Sequence, residues 1–445
     1  MHKTYFVFYL LIIIISTYFF RKAAGSLSIR KINIVSMLYY RFMIIHIIGF
    51  GIGLLGIRSY KIIILGLSLS EHEMGILSLL VAIHFLILSF TLYILNIMFP
   101  IKLERIEVRY SKKNNAAVLG TWILLVFVIL GILFLGLENH GFPIFKLFSG
   151  ASTLEIGIAR HDFVSRIPYI QNLLVATGAP IAAGMSFVLI NKYRIPKERY
   201  LLFLISWAIF IFACTMKTEK SAVIGIIAFY FVLNIYVGKK IKIRKMLYWA
   251  TLVLILLLLL NVSLEHVMNL KHSIYNIISR IFLDQNNGFY CIFDLLKNQG
   301  NYLGLSGVSS LVAKVFGIEF IESHRLAMAT FSHGAVARGT GGEMSTLYIA
   351  EAYMVGGPIC AIISTVWVGI LTYFFHYMFQ QKLPKSAFFI SIYAYLTVFW
   401  VGKISSGFFT NFVVNWTFIF LISLIICGLL PYYAVKNKAC YVPMK

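Results

Sequence analysis

Apolar runs long enough to cross a lipid bilayer recur along this chain, and no other feature restricts its fold so strongly. They lie near residues 4–20, 34–57, 74–99, 117–137, 168–190, 200–216, 221–238, 246–263, 346–376, 386–402 and 410–433. A helix needs roughly 20 apolar residues to cross about 30 Å of hydrocarbon, with a tolerance of a few residues either way. Lipid offers backbone N–H and C=O groups no partners, so a spanning segment must satisfy them internally, as a helix does. The chain is 60% hydrophobic and 12% charged, where a soluble domain carries about 25% charged residues. The expected fold is an all-α polytopic integral membrane protein of about 11 transmembrane helices, with a long loop before the last three. Arg21-Lys22 follows the first run directly, as in a stop-transfer signal, so that run reads as a membrane helix and not as a signal peptide.

The net charge of +23 would suggest nucleic acid in a soluble protein. Here the basic residues sit mainly in short loops, and no basic-aromatic module accompanies them, which argues against nucleic-acid binding. Loops 21–33, 100–116, 191–199, 239–245, 377–385 and 434–445 hold 23 Lys and Arg. The alternate set holds 15, six of them in the long loop 264–345. The dense set is expected on the cytoplasmic side. That puts the N-terminus outside, the C-terminus inside, and loops 138–167 and 264–345 outside. Three regions follow: an N-terminal bundle of about eight helices over 1–263, the loop 264–345, and C-terminal helices with a cytoplasmic tail over 346–445. Residues 308–321 read as an amphipathic helix able to lie on the membrane surface. The five Cys form no CxxC pair, so neither a disulfide framework nor a zinc site is supported. No internal repeat is visible.

Several charged residues stand close to the outer membrane ends. They are Arg160-His161-Asp162 and Arg166, the turn Lys217-Thr218-Glu219-Lys220, and His324-Arg325, His333, Arg338 and Glu343 at the end of the long loop. Guanidinium groups present paired donors in a fixed fork, which suits a diphosphate at the membrane surface. Interfacial anchoring by snorkelling is the alternative use. Glu351 lies a turn or two inside the next span, where a charge either faces a cavity or partner or sits at headgroup level beside Tyr348 and Tyr353. Arg41 and His46 raise the same question, and Arg41 is near enough to the cytoplasmic end to snorkel. His324 and His333 lack metal-ligand spacing; each is a general-base candidate or a solvated side chain. Ser70-Glu71-His72-Glu73 resembles an acidic or metal cluster but fits a Ser-x-x-Glu capping box better. Gly339-Thr340-Gly341-Gly342 is not followed by Gly-Lys-Ser/Thr and reads as a close-approach turn. No Asp-x-Asp motif for a nucleotide-sugar occurs, and no metal site is expected.

Taken with the two outer loops, the segment Ser345-Thr346-Leu347-Tyr348-Ile349-Ala350-Glu351-Ala352-Tyr353-Met354-Val355-Gly356-Gly357 resembles the Wzy O-antigen polymerases. It is similar to that family's small-polar, Glu-x-Tyr, then Gly entry into the span after the long loop. Lys217-Thr218-Glu219-Lys220-Ser221-Ala222 stands where the family has a charged-then-small turn. Arg160 and Arg166 stand where it carries functional Arg residues in its first sizeable outer loop, and Arg325 or Arg338 where it carries them in the long loop. The family's Arg-x-Gly spacings are not clearly reproduced. The resemblance implies a glycosyltransferase in the bacterial inner membrane that joins oligosaccharide repeat units carried on undecaprenyl diphosphate, at the periplasmic face. Arg160, Arg166, Arg325, Arg338, Lys217 and Lys220 would hold diphosphates, and Glu351, His333 or Asp162 would take the acceptor's proton. The donor is already activated, so no nucleotide or other cofactor is required. Implied partners are the lipid-linked oligosaccharide, membrane lipid and a polysaccharide chain-length regulator. An O-antigen ligase, matched only loosely through His333, and a lipid-linked oligosaccharide flippase or other transporter are the alternatives; Gly356-Gly357-Pro358 is the one candidate broken span for the latter.

Overall fold

The computed structural model describes residues 2–57, 65–101, 115–167, 169–192, 198–239, 270–339 and 344–407, with a few isolated positions besides. The runs expected to span at 246–263 and 410–433, the tail 434–445, and Gly341, Gly342 and Glu343 lie largely or wholly outside these residues. Among the described residues the chain is helical and has no strand. The first elements are α1 (His2–Ala24), α2 (Ile34–Leu54), α3 (Glu71–Met98) and α4 (Asn115–Glu138). The short helices α5 (Pro143–Phe148) and α6 (Thr153–Asp162) lie in the loop between α4 and the next span. Then come α7 (Ile170–Asn191), α8 (Glu198–Thr215) and α9 (Lys220–Tyr236). The long loop contains α10 (Leu270–Phe282), α11 (Asn287–Gln299), α12 (Ser310–Phe316), α13 (Ser323–Phe331) and α14 (His333–Ala337). The chain continues through α15 (Leu347–Tyr377) and α16 (Ala387–Ile404). Seven of these helices (α1, α2, α3, α4, α7, α15 and α16) are long and apolar enough to cross a membrane. The apolar stretches Tyr200–Thr215 and Ala222–Tyr236 are shorter. The protein is a helical, multi-pass membrane protein.

Helix α3 packs between α1 and α15, while α7 is surrounded by α4, α8 and α16. Lipid is as apolar as the helices, so burial of apolar surface does not drive these contacts; close packing and interhelical hydrogen bonds do. Glycine supplies the close packing. A Cβ at Gly184 of α7 would lie 2.9 Å from the Ser391 Cβ of α16, and one at Gly369 of α15 would lie 2.9 Å from Thr91 of α3. Hydrogen bonds link the same pairs, His84 Nδ1 to Thr365 Oγ1 at 2.8 Å and Thr177 Oγ1 to the Tyr395 hydroxyl at 3.0 Å. Arg41 does not simply reach back to the helix end: its guanidinium is inside the bundle, donating to the Val398 carbonyl at 3.1 Å.

The Ser70 capping box is present. The Ser70 hydroxyl accepts from the Glu73 N–H at 3.2 Å, and the Glu73 carboxylate accepts from the Ser70 N–H at 2.7 Å. The same carboxylate holds Lys297 of α11 at 2.8 Å. The long loop is therefore tied to the bundle. Asp294 is buried and accepts from both the N–H and the hydroxyl of Ser68, at 2.8 and 2.7 Å. His46, on a wide π-type turn of α2, is hydrogen-bonded to Asn286 at 2.8 Å. The helix read over 308–321 is much shorter, because Gly317 takes a left-handed conformation (φ 64°) and ends α12 at Phe316.

Replacing Gly184 by Val forces a branched side chain into the α7–α16 contact, with an overpacking cost of about 1–3 kcal/mol. Gly120→Val, where a Cβ meets nothing within 4 Å, is the control. In detergent-solubilised protein the first variant is expected to unfold at a clearly lower temperature and the second near the unmodified chain.

Candidate functional site

Glu351 sits on the second turn of α15 with its side chain 3% exposed. Three chain segments converge on it. Thr346, just before α15, donates a hydrogen bond from its hydroxyl to Glu351 Oε1. Gly407, past the end of α16, presses its backbone against the same group: a Cβ there would lie 2.6 Å from Glu351 Oε1 and 2.7 Å from Thr346 Oγ1. Gly407 also has φ 118°, so both space and backbone favour glycine. From the long loop, buried His324 of α13 places Nδ1 3.7 Å from Glu351 Oε1. Leu347, between Thr346 and the carboxylate's turn, is a buried non-glycine residue at φ 61°, a conformation that costs energy and is held by its surroundings.

The cluster continues toward the surface. His324 Nε2 lies 3.5 Å from Glu322 Oε2, so the imidazole stands between two carboxylates at ion-pair distance. Arg325 Nε is 2.5 Å from the same Glu322 oxygen. Exposure rises along the series, from 3% at Glu351 and 5% at His324 to 29% at Glu322 and 67% at Arg325. A buried carboxylate–imidazole–carboxylate series with a guanidinium at its mouth can accept a proton and stabilise the imidazolium that results, while the guanidinium faces an anion outside. Among the described residues no group of three His, Cys, Asp or Glu side chains is placed to bind a metal ion.

Of the other sequence candidates, Arg160, Asp162, Arg166, His333 and Arg338 are exposed. Asp162 and His161 are both exposed and face each other at 3.5 Å on α6, so Asp162 is not part of the buried cluster. His333 and Arg338 are exposed on and just after α14. A Cβ at Gly339 would lie 3.5 Å from Ile158 of α6, so the end of the long loop meets the helix that carries Arg160 and Asp162. Arg166 is held by its backbone: its N–H donates to Glu138 Oε1 at 2.7 Å, and the Ser165 hydroxyl donates to Glu138 Oε2 at 2.8 Å. The Lys217 ammonium lies 5.9 Å from the Phe163 ring centre, and the Ile144 N–H donates to the Met216 carbonyl at 3.1 Å. Lys220 opens α9. Loops 139–167 and 264–345 and the 217–220 turn thus meet at one end of the bundle. Glu322, Thr346 and Gly407 are not read as site residues from sequence, and His333 is preferred there to His324. The only local signal for them is the Glu322-x-His324 spacing.

A scan against protein-family models finds no match, and searches of curated proteins and of solved structures find none either.

With the five native cysteines replaced, the pair Ile158→Cys and Gly339→Cys is expected to cross-link efficiently with a short thiol-specific reagent in membranes. Pairing Ile158→Cys with Val315→Cys on α12 is expected to give little product, and the two yields are read by gel shift after proteolysis between the loops.

Proposed function

We propose that this chain is a glycan polymerase of the bacterial inner membrane, joining oligosaccharide repeat units carried on a polyprenyl diphosphate at its periplasmic face. The observation that carries this reading is the buried Glu351–His324–Glu322 series opening beside Arg325, at the end of the molecule where both outer loops gather. Support for the orientation comes from the concentration of Lys and Arg in the opposite loops.

The acceptor sugar's hydroxyl oxygen attacks the donor's anomeric carbon. The bond from that carbon to the phosphate oxygen breaks, and the polyprenyl diphosphate leaves with the bonding electrons. Arg325, with Arg338, Arg160 and Arg166 of the loops, stabilises the charge that develops on the leaving group. The acceptor's proton passes to Glu322 and is relayed from there to His324. Burial favours Glu322 over Glu351 as the group that meets the hydroxyl, because its side chain is 29% exposed and that of Glu351 is 3%. Glu351 acts behind it, orienting the imidazole and offsetting its positive charge. Asp162 and His333 are surface residues in this scheme.

A ligase would carry out the same step on a different acceptor. A transporter would use the break in α15. That break is present, with Gly357 at φ 70° and Pro358 unable to donate to the Met354 carbonyl. The Leu303 N–H donates to that carbonyl instead, at 2.9 Å. A carbonyl engaged by the outer loop favours anchoring of the loop over ion coordination.

Deleting the gene is expected to collapse the lipopolysaccharide ladder to core carrying one repeat unit, with the ladder restored by complementation. Glu322→Gln and His324→Asn are expected to lower polymerisation by about 10²–10⁴-fold, the usual contribution of a positioned acid–base group. Glu351→Gln should also impair it, as should Arg325→Ala, while Asp162→Asn and His333→Asn stay near wild type. An unchanged ladder on deletion would remove the assignment.

A further inference from the structure

A cavity of about 540 Å³ lies at the same end of the bundle, between the start of α1, the end of α2, the start of α3 and the loop helices α10 and α11. Its walls include Gly53, Met74 and Gly75, and its roof Leu283, Asn287 and Tyr290. At its rim stand Val7, Leu55 and Ile57, apolar side chains more than half exposed, and Glu71 also lines the cavity. Two polar groups of its lining are bonded within the protein: Asn286 to His46 at 2.8 Å and the Tyr290 hydroxyl to Ser78 at 3.0 Å. The lining is mainly apolar, with Glu71 and Asn287 as further polar members, and the volume falls within the range of small-ligand sites.

The cavity borders the acid–base cluster. Asn287 lines the cavity, and the next residue, Gly288, lies against the loop before α15: a Cβ there would be 2.4 Å from the Ser345 carbonyl oxygen. Thr346, next in sequence, donates to Glu351. The start of α11 therefore touches both the mainly apolar slot and the segment that holds the buried carboxylate.

We propose that this slot seats the first isoprene units of the polyprenyl-diphosphate substrate, so that the diphosphate emerges beside the gathered Arg residues. The inference rests on the polymerase reading. The slot takes the tail from the bilayer through the Val7–Ile57 rim, and α11 sets how far the head group stands from Glu322.

The test is photo-cross-linking of the full chain in nanodiscs, with a diazirine in the first isoprene units of a polyprenyl diphosphate. A phospholipid with a diazirine in its acyl chain is the comparison. Labelling of the Met74 and Tyr290 peptides by the prenyl probe is expected, displaced by unlabelled polyprenyl diphosphate but not by phospholipid. Met74→Trp, which fills the slot, should cut that labelling at least tenfold, and Gly53→Leu should do the same if the first variant fails to fold. Equal labelling by both probes, or labelling unchanged by either filled variant, would overturn the proposal, as would a cross-link to a second polypeptide in native membranes in place of lipid. The deletion ladder separates the two readings: a ladder dependent on Glu322 with no prenyl label in the slot sinks this inference alone. Specific prenyl labelling with an unaffected ladder sinks the polymerase reading.

Discussion

The carboxylate of Glu351 is buried where three stretches of chain end together: the long loop at Thr346, the start of α15, and the end of α16 at Gly407. A buried carboxylate is costly unless it is hydrogen-bonded and paired. Here the Thr346 hydroxyl and His324 supply those contacts. The requirement works in both directions. Keeping Glu351 satisfied demands that α13 of the long loop stay docked on α15, and that demand fixes Glu322 and Arg325 at the mouth.

Docking of the loop is secured elsewhere. Asp294 and Lys297 on α11 bind Ser68 and Glu73 at the entrance to α3, and Asn286 binds His46 inside α2. Gly49 makes that last contact close, since a Cβ there would fall 1.7 Å from the Phe282 carbonyl oxygen. The loop is thus a roof over the bundle, built from helices that share hydrogen bonds with the spans beneath. Through α11 the same roof borders both the apolar slot and the acid–base series, so displacing it would disturb both.

Much of the architecture was legible because the bilayer imposes it. A run of apolar residues must become a helix in lipid, and the observed α3, α4, α7, α15 and α16 follow the runs within a few residues. The Ser70-x-x-Glu73 box was readable for a similar reason, since its two hydrogen bonds are local in sequence. Helix α12 was overestimated because apolar periodicity continued past Gly317, whose backbone ended the helix. The site was legible only in part. Glu351 stood out as a charge inside a span. Glu322 did not, and His324 could not be ranked above His333, because their position depends on how α13 lies against α15, a tertiary fact with no periodic trace. Gly407 could not be read at all, for its role is the absence of a side chain opposite a residue more than fifty positions away.

The most direct measurement is reconstitution. The full chain, purified into proteoliposomes, would be given a single polyprenyl-diphosphate-linked oligosaccharide, and the products followed by mass spectrometry. The account predicts a series of glycans at whole multiples of the repeat unit, with release of polyprenyl diphosphate, lost in the Glu322→Gln protein. Recovery of the substrate unchanged, or merely moved from one leaflet to the other, would contradict it.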